Sequence, residues 1–491
     1  MLLLGLDIGT AGAHAVAIDE TGAIVASASR EYATQSPRPG WVEQDPMDWW
    51  RAAAQVLSRV GADARGEIGA VGLAGQHGSV FVDAAGAAVR PAILGRDRRA
   101  ASQAGYIVER IGAQRVIEIS GSRALPDHQA AIILWLRDVE PVQFRHTRRV
   151  LLPKDHVRLM LTGEAATDVS DAAGTLLMDF RRRTWSHEML DPLEIALDWL
   201  PPVHPSLDIA GGLRPSVAGE LGLPPGLPVA AGATKTAAAA VSTGIVMSGI
   251  MGSAIDRSGL LIAPTTDAIV DPGGLLQTVC DPSPQRYDLM GTTPSAGASL
   301  RWWRDVLGQR LDYEALCAQA ETVPPGADGL FFVPQVDGEG ASGHDAVSRG
   351  AFVGLRAHHT QADLTRALME GVVFRLRDRL DVMRGLGIEP HQVRSTGGGA
   401  RSRLWRQMQA DIFAVPVAAM ASVPSPAVGA ALLAGVATGV FSDLAAASAT
   451  VARLGRVLEP DPERAARYEQ LYRTFSALDP AIRQPLATRP T

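Results

Sequence analysis

Cys280 and Cys317 are the only cysteines in 491 residues. So few exclude a disulfide framework and a CxxC metal site, and they fit a reducing compartment. No apolar run reaches the roughly 18 residues that a membrane-spanning helix needs. The opening Met1-Leu2-Leu3-Leu4-Gly5-Leu6-Asp7 has no basic segment, and Asp7 interrupts its apolar run, so it does not read as a secretory signal. No stretch gathers enough Lys and Arg for a nucleic-acid surface, and the net charge is −6. A cytoplasmic protein that binds neither nucleic acid nor membrane is expected.

What is present is ordinary for a folded protein: 46% hydrophobic and 20% charged residues. The length exceeds one hydrophobic core, so two domains are expected. The chain opens as a β-meander. A strand over Leu2 to Ile8 leads through Gly9-Thr10-Ala11-Gly12 to strands at His14 to Asp19 and Ala23 to Ser29. Asp45 as N-cap, Pro46 at the first position, and Trp49, Ala53, Val56, Leu57 and Val60 at helical spacing signal the first helix. A strand from Ile68 to Leu73 enters Gly75-Gln76-His77-Gly78. Beyond Pro201 the sequence turns Pro- and Gly-rich, and a boundary belongs there. The second half restarts with an apolar strand, Leu227 to Ala231, and an Ala-rich helix, and a strand pair is expected to bracket Gly252-Ser253. The halves read as distant repeats. Later helices are expected over Gln361 to Arg384, Ser402 to Phe413 and Asp461 to Phe475.

Two motifs carry chemistry. Gly5-Leu6-Asp7-Ile8-Gly9-Thr10 ends a strand in a carboxylate beside exposed backbone amides. The amides could cradle phosphate and the carboxylate hold hydrated Mg²⁺; the plainer alternative is a hairpin turn with a capping Asp. Gly397-Gly398-Gly399-Ala400-Arg401-Ser402 lies between a strand and a helix. It could admit a nucleotide against its backbone, or be only a tight turn. No GxGxxG follows the first strand, which excludes a dinucleotide dehydrogenase.

Taken in order, these segments resemble the FGGY family of carbohydrate kinases, its xylulokinase branch most closely. Also matching are Gly40 to Pro46, Leu151-Leu152-Pro153-Lys154-Asp155, Asp168 to Thr175, Ser295 to Leu300, Trp405-Arg406-Gln407-Met408 and Ala410-Asp411-Ile412. The resemblance implies an α/β fold of two RNase H-like (actin/hexokinase-like ATPase) domains flanking a cleft. Residues 1–224 would form the sugar-binding side and 225–440 the nucleotide-binding side, with 441–491 as helices packing back on the body. It implies ATP and Mg²⁺ as cofactors, a ketopentose such as xylulose or a related polyol as substrate, and the homodimer usual among relatives. Gln76, His77, Asp97 and Thr236 would hold the sugar. Gly9, Thr10, Gly252, Ser253 and Gly397 to Gly399 would hold ATP, and Asp7 the Mg²⁺ through water.

The chain departs from the pattern where the chemistry lies. The family's Gly-Gly-Gly-Asp-Asn-Ala-Ala segment, whose Asp is the catalytic base, reads Gly232-Ala233-Thr234-Lys235-Thr236-Ala237-Ala238. Lys235 stands where that Asp would be. The sugar loop lacks its Met in Gly75-Gln76-His77-Gly78, and the Trp-Asn-Asp-x-Arg segment reads Gly95-Arg96-Asp97-Arg98-Arg99. The second phosphate loop reads Gly252-Ser253-Ala254-Ile255, a Glu-Arg-Thr-Pro run reads Glu339-Gly340-Ala341-Ser342, and His14 replaces a basic residue. The plainer alternative for His14 is a solvent-facing strand residue. An ordinary lysine, with a pKa of about 10.4, cannot accept a proton at pH 7. Loss of a positioned base costs about 10²–10⁴-fold in rate. Two functions follow: a kinase with impaired transfer, unless Asp97 or Asp256 has taken over as base, or a non-catalytic sugar- or nucleotide-binding protein.

Overall fold

A computed structural model describes residues 1–336, 349–421 and 425–487. The first half supplies β1 (Leu2–Ile8), β2 (Gly12–Ile18), β3 (Ile24–Glu31), α1 (Pro46–Asp63), β4 (Ile68–Gly75), α2 (Val169–Ala173), β5 (Pro228–Ala230) and α3 (Lys235–Ser242). The second supplies β6 (Ile250–Ile255), β7 (Gly259–Thr265), α4 (Gln361–Gly385), β8 (Gln392–Thr396), α5 (Arg403–Phe413), β9 (Val417–Met420), α6 (Pro426–Ala437) and α7 (Pro462–Ala487). The described residues form two compact α/β units that interleave along the chain. One comprises Met1–Met247, Thr265–Asp288 and Val423–Arg453; the other comprises Ser248–Pro264, Leu289–Ser422 and Leu454–Thr491. The segments 225–247 and 425–440, which the sequence reading groups with the second domain, thus pack within the first unit. The Glu339-Gly340-Ala341-Ser342 run lies outside the described residues.

In the first unit a sheet runs, after an edge strand at Ile209–Gly212, in the order β5, β4, β1, β2, β3. β1 pairs antiparallel with β2 and parallel with β4, and all seven β1 residues are buried. A central strand covered on both faces reads as a continuous apolar run, which is why Asp7 stands out within it. α1 begins as its sequence signals: the Asp45 side chain accepts a hydrogen bond from the Met47 amide, Pro46 starts the helix, and Trp49, Ala53, Val56, Leu57 and Val60 are buried.

The second unit repeats the plan. β6 pairs antiparallel with β7 and parallel with β8, and β8 pairs parallel with β9. α4 opens on a capping box between Thr360 and Asp363, and Ser402 caps α5. Each unit therefore has the RNase H-like arrangement of an antiparallel hairpin whose first strand continues into a parallel layer. Among the described residues no helix is long and apolar enough to cross a membrane, and both cysteines are free.

α6 explains the interleaving. It is Ala- and Gly-rich and buried from Ala427 to Gly435, as expected of a helix apolar all round. It lies directly on the first unit's sheet because two sheet glycines let backbone meet backbone, and a third glycine on the helix does the same for α3. A Cβ on Gly5 would sit 1.8 Å from the Ala427 carbonyl oxygen, one on Gly72 1.8 Å from that of Ala430, and one on Gly429 1.8 Å from that of Ala238 in α3. These are rigid backbone atoms, so no rotamer change relieves the clash. Gly72→Ala is expected to lower stability by about 3 kcal/mol, the upper range for overpacking. Gly219→Ala, in the helix Pro215–Leu221 with nothing within 4 Å of its added methyl, is expected to gain about 0.5–1 kcal/mol from helix propensity. Chemical-denaturation midpoints read both, and equal midpoints for the two variants would contradict this account of the packing.

Candidate functional site

In the first unit the β1–β2 turn is held from beneath by a polar network. The Thr10 hydroxyl donates to Gln76 Oε1 (2.8 Å), Gln76 Nε2 donates to Gln44 Oε1 (2.8 Å), and Gln44 Nε2 donates to the Thr10 carbonyl (2.8 Å). Trp49 Nε1 donates to Gln44 Oε1 (2.8 Å), and the Tyr32 hydroxyl donates to the Gly9 carbonyl (2.6 Å). The carbonyl side of the turn is thereby satisfied internally, while Thr10 and Ala11 are exposed. Gln76 is buried with both ends of its amide engaged, so it ties the Gly75–Gly78 loop to the Gly9–Ala11 turn.

Asp7 is buried at the end of β1. Its Oδ1 is sealed from solvent without a hydrogen-bond partner, and its Oδ2 accepts from Lys235 Nζ at 3.1 Å. Burial pushes the Asp7 carboxyl above its ordinary value, and Lys235 pulls it back. Lys235 is the first residue of α3. Thr234 caps that helix through the Ala237 amide (3.1 Å), and the Thr234 amide donates to Ser170 Oγ (3.0 Å). The Lys235 side chain is 45% exposed, and its Nζ lies only 2.7 Å from where a Cβ on Gly9 would be. Lys235 therefore reaches the turn itself, and half-buried Thr236 follows it. His14, opposite Asp7 in the ladder, has its pKa lowered by burial. These residues do not fit a hydrated Mg²⁺ on Asp7, because one oxygen is sealed and the other already holds a cation.

Beside Gly75 lies a buried ionic cluster. Lys154 Nζ is 2.6 Å from Asp155 Oδ1, 2.8 Å from Asp168 Oδ1 and 3.0 Å from Asp171 Oδ2, all with fully buried side chains. Arg158 joins through Asp155 at 2.7 Å. Asp168 Oδ2 also accepts from the Ser170 amide (2.8 Å), the Ser170 hydroxyl (2.6 Å) and the Ser206 hydroxyl (2.7 Å). Three carboxylates face two cations, and burial pushes the Asp171 carboxyl up to about 6. Exposed His77 lies over Gly174 just beyond α2, where a Cβ would be 2.2 Å from its ring. The sequence shows Lys154-Asp155 and the run Asp168 to Asp171 thirteen positions later, and only the fold brings these charges together.

Asp97 is buried, and neither of its oxygens is free. Oδ2 accepts from the Val42 amide (2.6 Å) and from Arg99 (2.8 Å), while Oδ1 accepts from the Arg99 backbone and Nε (2.9 Å each). Arg99 in turn stacks 3.8 Å from the Trp41 ring centroid.

In the second unit the expected position of the phosphate loop needs correction. Gly252 and Ser253 are not bracketed by strands but lie inside β6, laddered to Ile262 and Leu261 on one side and to Arg394 and Ser395 on the other. The Ser253 hydroxyl is buried and donates to Gln409 Oε1 (2.7 Å). The turn that follows β6, as Gly9–Ala11 follows β1, is Asp256-Arg257-Ser258. Asp256 Oδ1 accepts from the Gly398 amide (2.8 Å). Gly397, at φ 78°, leaves room for this carboxylate: a Cβ there would meet Asp256 Oδ1 at 2.9 Å. Gly399 packs on Ile255, its would-be Cβ 2.7 Å away. A glycine-rich turn and an acidic turn thus share one hydrogen bond. Asp7, Thr10, Gln76, His77 and Lys235 belong to one unit, and Gly252, Ser253 and Gly397 to Gly399 belong to the other.

Known proteins of this architecture agree with the motifs. Residues 2–242 match the N-terminal domain, and residues 255–438 the C-terminal domain, of the FGGY family of carbohydrate kinases. A xylulose kinase of Escherichia coli (strain K12) is 35% identical over 97% of this chain and 98% of its own length. The crystal structure of a xylulose kinase from Rhodospirillum rubrum superposes with a TM-score of 0.93 at 31% identity, covering 100% of both chains. That of a xyloylose kinase from Brucella ovis gives 0.92 at 32% identity, covering 98% and 99%.

The excess buried carboxylate has a pH signature. The folded protein holds the Asp171 proton at about 6, against an ordinary value of 3.8. The stability this group contributes is therefore present at low pH and lost as pH rises through about 6. Asp171→Asn, neutral throughout, is expected to melt above the native protein at pH 7.5, by on the order of 2–4 °C, with the gap closing toward pH 5. Scanning calorimetry across that range measures it. A variant that melts lower at pH 7.5, or a gap that ignores pH, would refute the assignment.

Proposed function

Because this chain belongs to the FGGY family of carbohydrate kinases, we propose that it is a xylulose-kinase-like protein whose phosphoryl transfer from ATP to a ketopentose or related polyol is impaired by Lys235. One observation carries the reading: an ammonium, salt-bridged to Asp7 at 3.1 Å, stands on the first turn of α3 where the family has its carboxylate base. An ammonium held in this way has no lone pair for the proton of an attacking hydroxyl. Of the two carboxylates considered as replacements for the base, Asp97 has both oxygens engaged by Val42 and Arg99, and Asp256 belongs to the other unit.

The ligand sites follow the same pattern. In the second unit the Gly397 to Gly399 turn would contact ATP, and in the first unit the Gly9–Thr10 turn would contact a phosphate. The Asp256 carboxylate on the Gly398 amide supports weak nucleotide affinity, since it takes a donor and adds negative charge near any phosphate. His77 and Thr236 would face the sugar, with Gln76 and Asp97 fixing the loops around them. The same observations favour, as the limiting case, a protein that binds sugar or nucleotide without transfer.

ADP release with and without D-xylulose tests this in the native protein and in Lys235→Asp. The native rate is expected at least about 10²-fold below the 1–100 s⁻¹ usual for kinases, and Lys235→Asp is expected to raise it. Recovery should be partial, because the shortened sugar loop still positions substrate poorly. If neither protein releases ADP yet calorimetry detects D-xylulose or ATP binding, the binding-only form of the reading holds. Native turnover of 1–100 s⁻¹ that slows in Lys235→Asp would make Lys235 a working catalytic residue and end this proposal.

A further inference from the structure

We infer that the Lys235 ammonium is the resident cation of the Asp7 site: it takes the place of the divalent metal that the family implies, so that an anion on the Gly9–Ala11 turn is neutralised without metal. The inference extends the reading of that turn as a phosphate site, but its metal half stands on the local geometry alone.

Three observations carry it. Asp7 is the only carboxylate that β1 brings to the turn, and it offers a cation just one usable oxygen, because Oδ1 is buried out of reach of solvent. Nζ occupies that oxygen, Oδ2, at 3.1 Å. Nζ also leans over the turn, 2.7 Å from the position of a Cβ on Gly9, so its remaining N–H bonds lie beside the backbone to which a phosphate would bind. A second cation on Oδ2 would have to displace the ammonium or tolerate it in direct contact. The half-exposed side chain leaves the ammonium open to an anionic ligand. Its place at the start of α3 adds the positive end of a helix to the same spot, where a cation is held only against the helix dipole. Asp7 offsets that penalty, so each member of the pair holds the other in place. His14 brings no competing charge, since burial favours its neutral form.

Mn²⁺ is the probe, with paramagnetic resonance of the full chain measured with and without ATP. Native protein is expected to show no bound Mn²⁺ that Asp7→Asn removes, in either condition. Lys235→Ala is expected to take up one Mn²⁺ at least tenfold more tightly than native, and Asp7→Asn/Lys235→Ala to lose it. Calorimetry supplies the second readout: native ATP affinity should change less than twofold between Mg²⁺ and EDTA, whereas Mg²⁺ should tighten ATP at least fivefold in Lys235→Ala. Asp7-dependent Mn²⁺ in the native protein, or none in Lys235→Ala, overturns the inference. If neither protein binds ATP, the nucleotide reading fails, and the metal-only measurement still decides this one.

Discussion

Backbone lies against backbone where α6 crosses the first unit's sheet, and the placement of the chemistry depends on that contact. Gly5 on β1 and Gly72 on β4 admit the helix, and Gly429 on the helix admits α3. β1 ends in Asp7 and α3 begins at Lys235. The helix that touches both strand and helix without side chains between them therefore fixes the spacing of the two charges. The Ser425 amide, donating to Ser242 Oγ at 3.2 Å, ties the start of α6 to the end of α3. Close-packed interiors transmit small displacements, so a methyl added at any of these glycines would move the ion pair as well as loosen the core.

The two lysines of this unit illustrate opposite solutions to burying charge. Lys154 is fully buried and surrounded by Asp155, Asp168 and Asp171, so its desolvation is offset by three carboxylates and its pKa is raised. It joins α2 to the strand-end loops and has no freedom to do more. Lys235 has one carboxylate and much solvent. Its partner Asp7 is buried, so the ammonium offsets the cost of a buried carboxylate while it puts a positive charge at the turn. The first cluster builds the floor of the site; the second sets the electrostatics of its surface.

Much of this was legible in the sequence, for identifiable reasons. Asp45-Pro46 and the spacing of Trp49 to Val60 define α1 by local chemistry alone, and the structure agrees. The strand that carries Asp7 was visible as an apolar run. Gly252-Ser253 misled because its place as a loop was taken from the family's second phosphate loop rather than from the strand pattern around it. Here a buried partner, Gln409, takes the serine hydroxyl inside a strand, and the turn falls on Asp256, whose bond to Gly398 spans 142 positions of sequence. The role of α6 was hidden for the opposite reason: a helix apolar on every side carries no periodic face to say what it packs against.

The interleaving of the units has a consequence for how the chain is made. β1 leaves the ribosome long before the helix that covers it, which lies beyond residue 425. Domains emerging from the N-terminal end usually fold as they appear. Here the first unit must wait, its sheet bare along the Gly5 and Gly72 face, while the strands of the second unit are synthesised and begin to pack. Neither unit can close early, because the second also awaits its last segment, Leu454–Thr491, whose Tyr468 and Phe475 are buried. For the duration of synthesis, the exposed apolar face of β1 and β4 is a surface on which a chaperone, or another nascent chain, could dock.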